Sequence, residues 1–330
     1  TKGVAVGIFV KTPKTEEKAE VHYHEVWGER EEKYDFLRKN DVQSIPSEPL
    51  EEVDRETCLG NFHFFAPKGF DFVNEYCEGW SLTDIFSLHN TGLETQRDSF
   101  TVYFKERQLS DVIKDVKTSD LDEVRKKYEV GSDGRDWKLK SAKKDRQNNE
   151  GEICKVTYRP FDNRVTWYSG NSKGFLAYPR SSVNNHVVGR KNKVLCAIRQ
   201  VVSKGDNYSH FLCTDNMVNN RAFKSSRSRA MSFPIYEYQN EEEKRRKGED
   251  FFKGEKDPNL TEKFVEECKE KWKLKFIMNG TGNLKETFGP EDVLHYAYAV
   301  FHSPTYRERY KELLRIDFPR LQLTEDIDLL

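Results

Sequence analysis

Ile153-Cys154-Lys155-Val156-Thr157-Tyr158-Arg159-Pro160-Phe161-Asp162-Asn163-Arg164-Val165-Thr166-Trp167-Tyr168 is the stretch on which the fold class turns. From Ile153 the pattern becomes β-rich. Strands are predicted over residues 153–158, 165–168, 194–201 and 209–213, and Phe233-Pro234-Ile235-Tyr236 follows them. Upstream, residues 109–128 have helical spacing (Val112, Ile113, Val116, Leu121, Val124) with a break at Thr118-Ser119-Asp120. Residues 100–104 predict a strand, residues 70–78 a helix that Gly79 ends, and Phe62-His63-Phe64-Phe65 a short strand. Residues 131–151 are polar and basic. Downstream, residues 261–271 predict a helix and Pro290 opens another; Ser303 then caps a third with Pro304 at its first position. The pattern is α+β, with mixed sheets in the middle of the chain and a helical hairpin near the C-terminus.

The first residues read differently. Val4, Val6, Ile8 and Val10 alternate with Ala5, Gly7 and Phe9, the mark of a strand covered on both faces. A second strand (residues 20–27) and one helix (residues 29–38) are too little cover, so the expectation is that the chain begins with the last piece of a preceding α/β domain. Ile45-Pro46-Ser47-Glu48-Pro49 is the expected boundary, giving residues 1–45 and 46–330.

Hydrophobic residues make up only 36% of the 330, but aromatics reach 13% and supply large apolar surfaces in few positions, enough for one or two folded domains. No apolar run approaches the roughly 18 residues of a membrane span. The six cysteines are scattered, with none of the two-residue spacing of metal ribbons or redox motifs, and are expected to be reduced thiols. The net charge of −1 conceals an asymmetry. Residues 163–236 hold twelve Lys and Arg against two acids, an excess of ten that leaves −11 for the rest. Ordinary surfaces interleave the two signs, so the stretch predicts a surface facing a polyanion, or else pairing with the acidic flanks.

Catalytic signatures are missing. Gly280-Thr281-Gly282 follows an apolar run as a phosphate loop would, but Lys285 stands at the third glycine position. No Pro-Pro pair exists to build the turn that holds a flipped adenine. Glu242-Glu243-Lys244 formally ends a nuclease motif, yet lies in a charge run without a strand to hold it. The histidines show no metal-ligand grouping.

What remains is basic and polar chemistry beside aromatic rings. Thr91, Thr95, Gln96 and Arg97 are suited to base edges and phosphates; the alternative is a turn in which Asp98 pairs with Arg97. Arg159 and Arg164 sit among four rings, and equally fit a structural corner in which they stack on Tyr158 or Trp167 and pair with Asp162. Asn184, Asn185, His186 and Arg190 could serve phosphate or adenine, or be an exposed loop, and Lys191 beside them is a further DNA-binding candidate. Arg199-Gln200, in an apolar strand, must turn one member inwards, as a structural pair or a groove contact. Arg221, Lys224, Arg227 and Arg229, without an acid between them, form the most phosphate-like patch.

Seven motifs in order carry a resemblance: Asn90-Thr91-Gly92 through Thr95-Gln96-Arg97-Asp98; Tyr158-Arg159-Pro160-Phe161-Asp162-Asn163-Arg164; Arg199-Gln200; Ser232-Phe233-Pro234-Ile235-Tyr236; Phe288-Gly289-Pro290-Glu291-Asp292-Val293; His302-Ser303-Pro304-Thr305-Tyr306-Arg307; and Ile316-Asp317-Phe318-Pro319-Arg320. Together they resemble the C-terminal target-recognition region of Type ISP restriction-modification enzymes and related adenine-specific DNA methyltransferases, over roughly residues 62–323. The resemblance implies a longer cytoplasmic protein of a bacterium or archaeon, with nuclease, translocase and methyltransferase modules before this region and a further helical stretch after Ile316-Asp317-Phe318-Pro319-Arg320. It also implies double-stranded DNA and the methyltransferase domain of the same polypeptide as partners. S-adenosylmethionine, ATP and Mg are implied for that longer protein only, and no cofactor, metal or catalytic residue is expected in this chain. The expected function is a DNA sequence-recognition module that positions the target for modification or cleavage. Two alternatives stand beside it: a scaffold docking onto the methyltransferase domain, and an unrecognised metal-dependent nuclease.

Overall fold

The computed structural model describes residues 5–11, 20–50, 54, 56–200, 208–223, 228–239 and 255–330. They fall into two compact units, Thr1–Phe70 and Asp71–Leu330.

In the first unit His22–Tyr23 pairs antiparallel with Glu48–Pro49. The helix Arg30–Lys39 starts at a reciprocal cap, in which Glu29 and Glu32 each accept from the other's backbone. The apolar alternation at the start of the chain does not become a strand. Residues 5–11 join no ladder, and Val6, Ile8, Phe9 and Val10 are exposed. A pattern that calls for cover on both faces finds none among the described residues of its unit. Residues 62–65 form no strand either; Phe62, Phe64 and Phe70 gather as rings instead, with centroids 6.1 and 5.5 Å apart.

The second unit is α+β and holds the strands predicted from Ile153 onwards. Glu152–Arg159 and Asp162–Tyr168 form an antiparallel hairpin with a bulge between Thr157 and Arg159, and Met217–Val218 adds a parallel third strand. The second sheet runs in the order Asn90–Thr91, Ala230–Pro234, Val194–Ile198 and Phe211–Thr214, antiparallel throughout. Val194–Ile198 is buried along its whole length, which is why it reads so clearly as an apolar run. The break at Ser119-Asp120 separates the helices Glu106–Thr118 and Leu121–Lys127, and Asp120 caps the second by accepting from the Asp122 N–H at 2.9 Å. Near the C-terminus Pro290–His302 and Pro304–Arg309 are split at Ser303-Pro304, with Ser303 accepting from the Tyr306 N–H.

Two local readings are corrected by packing. Residues 98–101 form a short helix where residues 100–104 predicted a strand, and only Tyr103 bridges a strand, at Val165. The helical turn drives Phe100 into a ring cluster with Tyr128, Trp137 and Phe175 at 5.8, 5.8 and 6.0 Å. Burying such a ring is worth about 2–3 kcal/mol and outweighs β-propensity. The polar stretch before Ile153 hides the helix Leu139–Asn148, whose buried residues are only Leu139, Ala142 and Asp145. With one of three inward positions acidic, the helical period was not visible.

Side-chain amides fasten the loops to the second sheet. Asn259 donates to the carbonyls of Leu88 and Pro234, both at 2.7 Å, and accepts from the Leu88 N–H at 2.7 Å. Asn192 brackets Tyr236 in the same manner, donating to its carbonyl at 2.8 Å and accepting from its N–H at 3.1 Å. Cys154, Cys196, Cys213 and Cys268 are free thiols. No helix among the described residues is long and apolar enough to cross a membrane.

Candidate nucleic-acid interface

The segment that carries Thr91, Thr95, Gln96 and Arg97 is stitched into the fold on both sides. The Gly92 N–H donates to the Ala230 carbonyl and the Leu93 N–H to that of Val218, each at 2.8 Å, while Glu94 and Tyr178 exchange backbone bonds at 2.9 and 3.0 Å. A side chain at Gly92 would strike the Val218 carbonyl at 2.6 Å, so only glycine allows this approach. Thr91 lies on an edge strand opposite Met231, and Thr95 is buried with its hydroxyl donating to Asp98. Gln96 is exposed, in the left-handed region at φ 61. Arg97 donates to the carbonyls of Gln96 and Ser132 and lies over the Trp137 ring at 5.4 Å, so Asp98 finds other partners.

Glu94 is the centre of this segment. Its side chain is 8% exposed and accepts from Arg180 at 2.9 Å and from Arg229, whose side chains are 25% and 44% exposed. Sequence reasoning missed it, counting Arg180 only as charge and placing Arg229 in a phosphate-facing patch. The single signal was an acid between Leu93 and Thr95 in a segment read for its donors.

Asp98 links the segment to the hairpin, because it also accepts from the Tyr158 hydroxyl at 2.6 Å. Burial first, and then this bond to a carboxylate, push the Tyr158 hydroxyl above the ordinary tyrosine range. The Tyr158 ring in turn meets the guanidinium groups of Arg159 at 4.0 Å and Arg164 at 3.9 Å, and Arg164 also lies 4.2 Å from the Phe104 ring centre. Arg164 donates twice to Asp162, at 3.1 and 2.8 Å, a pairing that raises its pKa further. The structural corner anticipated for Arg159 and Arg164 is therefore what these side chains make. Beside it opens a cleft of about 730 Å³ whose lining includes Lys155, Asn163, Arg164, Lys193, Thr214 and Asn216.

The remaining candidates lie apart in the sequence and differ in state. Asn184 is buried and donates to the Pro179 carbonyl at 2.7 Å. Asn185 accepts from the Tyr168 hydroxyl at 2.8 Å and shares a hollow of about 530 Å³ with Arg190, Glu150 and Glu152. Arg190 and Lys191 are exposed, Arg190 lying over the Tyr238 ring at 5.2 Å. Arg221 is exposed, while Lys224 and Arg227 fall outside the described residues, as does Glu242-Glu243-Lys244. Arg199 is exposed and pairs with Asp317 at 2.6 Å rather than turning inwards.

In space the basic excess is smaller than in sequence. Arg164 faces Asp162, Arg180 and Arg229 share Glu94, Lys193 meets Glu291 at 2.9 Å, Arg199 meets Asp317, and Arg190 lies 3.7 Å from Glu255. Six of the twelve cations thus face five acids drawn from outside residues 163–236. The ion pair with Glu291 raises the Lys193 pKa. Lys173 and Lys191 are further exposed cations of the stretch, outside that set. Among the described residues no three His, Cys, Asp or Glu side chains converge as a metal site would require.

A family model described as Type ISP C-terminal specificity domain matches residues 84–330, three quarters of the chain. No curated protein matches. Among solved structures, a cryo-EM structure of a DrdV-DNA complex is similar over 94% of this chain and 29% of its own, at 20% identity and a TM-score of 0.58. A nuclease-deletion mutant of the Type ISP restriction-modification enzyme LlaGI, in complex with a DNA substrate mimic, is similar over 94% of this chain and 22% of its own, at 18% identity and a TM-score of 0.53. The chain spans less than a third of the length of either, and at these identities the likeness is one of fold.

Proposed function

The chain belongs to the Type ISP C-terminal specificity domain family, and from that premise we propose that it is the DNA target-recognition module of a restriction-modification enzyme, choosing where a longer protein methylates or cuts. The observation that carries the proposal is the extent of the family match, which takes in the 91–98 segment, the hairpin and both sheets. That DrdV and LlaGI, which share the fold, are described in complex with DNA supports duplex DNA as the partner. The same reading makes a methyltransferase domain of the same polypeptide the second partner. It assigns S-adenosylmethionine, ATP and Mg to domains outside these residues, and a cytoplasmic setting to the whole.

In this role the exposed cations hold phosphates, and the polar side chains at the 91–98 segment and the cleft meet base edges. Thr95 and Asn184, being buried and bonded, position the loops rather than read bases. Lys191 is the clearest phosphate candidate among the exposed cations, since no acid approaches it in the ion pairs described. Anisotropy of a labelled mixed-sequence duplex, titrated with the chain from about 50 to 200 mM salt, tests the proposal. Affinity is expected to fall by 0.9 or so in log K per log unit of salt for each phosphate neutralised. Lys191→Ala is expected to weaken binding to all sequences alike and to lower that slope by roughly one. A wild-type chain that fails to bind duplex at about 50 mM salt contradicts the DNA-recognition role.

A further inference from the structure

Pro160 and Phe161 form the turn of the hairpin, with Arg159 paired to Asp162 across it. Phe161 stands at φ 62 and is 96% exposed. Proline followed by a residue with positive φ is the sequence of a turn whose third position ordinarily takes glycine or asparagine. A phenylalanine there accepts backbone strain and gains no burial in return, so folding alone does not account for it. Observed strain of this kind points to function.

The base of the turn is rigid. Tyr158 meets both guanidinium groups and is fixed to Asp98, and Arg164 is fixed to Asp162. The ring is therefore presented on a stiff arm with two cations at its root. Phe104, also exposed, is met by the Arg164 guanidinium. An apolar docking face for a protein partner would need a contiguous patch, whereas exposed rings interleaved with arginines match a stacked, negatively charged polymer.

We infer that Phe161 is a wedge that enters between base pairs of duplex DNA while Arg159 and Arg164 lie against the neighbouring backbone. The inference rests on the DNA-recognition reading and adds the part of the duplex that the hairpin meets. Insertion partly unstacks one step, and pyrimidine-purine steps such as TA yield most readily.

The test uses the 330-residue chain and a short mixed-sequence duplex with 2-aminopurine at a single central TA step. Binding of the wild-type chain is expected to raise the 2-aminopurine fluorescence. Phe161→Ala is expected to abolish that rise and weaken binding roughly tenfold, the scale of one lost stacking contact. Phe161→Trp retains a flat ring and is expected to keep both signals. Phe161→Gly removes the strained side chain, so its melting temperature stays at or above that of the wild type while its DNA affinity falls with that of the alanine variant. Unchanged affinity and fluorescence in Phe161→Ala overturn the wedge and leave the DNA-recognition role standing. Self-association of the wild-type chain that Phe161→Ala abolishes, with DNA binding intact, likewise overturns it by reassigning the ring to a protein contact. A wild-type chain that binds no duplex overturns both.

Discussion

Glu94→Ala is expected to destabilise the second unit by about 3 kcal/mol, as a drop in the urea midpoint at unchanged slope. The carboxylate is 8% exposed and serves two arginines, and its removal leaves the more enclosed of them, Arg180, with a charge and no acid. Arg229 is nearly half exposed and can turn to water, so Arg229→Ala alone is expected to cost only about 1 kcal/mol. Glu94→Gln keeps an acceptor of the same shape and is expected to fall between them. DNA binding should move the other way. With Glu94 gone, the surface around Arg180 and Arg229 gains a positive charge, and affinity for any duplex is expected to rise at low salt although the protein is less stable. A stability loss under about 1 kcal/mol would show that the network is not held by this acid.

Asp145→Ala is expected to have an effect of similar size for a different reason. Asp145 is 5% exposed and has no cation among its hydrogen-bond partners within the described residues. It accepts from the Ser169 hydroxyl at 2.9 Å, the Asn171 amide at 3.1 Å, the Phe175 N–H at 2.8 Å and the Asn149 amide at 2.9 Å. Gly174 passes so close that a side chain there would meet the carboxylate. Alanine leaves the buried Phe175 N–H unpaired and releases the 169–175 turn, at a cost of about 3–4 kcal/mol. Because the chain beyond that turn carries Tyr178, which bridges Glu94, the loss should spread to the 91–98 segment. Hydrogen exchange at the Glu94 and Phe175 amides in this variant measures the spread, and unchanged protection at both would contradict it.

How much of this was readable beforehand depended on how local its cause was. The paired helices around Ser119-Asp120 were legible because their apolar spacing and their break lie within a few residues of each other. Val194–Ile198 was legible because every position is buried. The helix at Asp98–Thr101 was not, since what fixes it is the ring cluster that receives Phe100, contributed by Trp137 and Phe175 far along the chain. Nor could Asp145 announce a helix at whose inward face it sits. The family motifs were legible as an ordered series and led to the domain family, but they gave no role to single side chains. Thr95 and Asn184 are polar and look like readers, yet both are buried in local bonds. The basic stretch misled in part, because charge counted along a sequence takes no account of Glu94, 86 and 135 residues from the arginines it serves.

The recognition role itself is tested most directly by selection. The 330-residue chain is offered a pool of random duplexes at physiological salt, and the bound fraction is sequenced over successive rounds. One short asymmetric motif is expected to dominate, with single base-pair changes within it costing about 1–3 kcal/mol of affinity. Retention of DNA with no enriched motif would contradict a target-recognition module and leave only a charged surface.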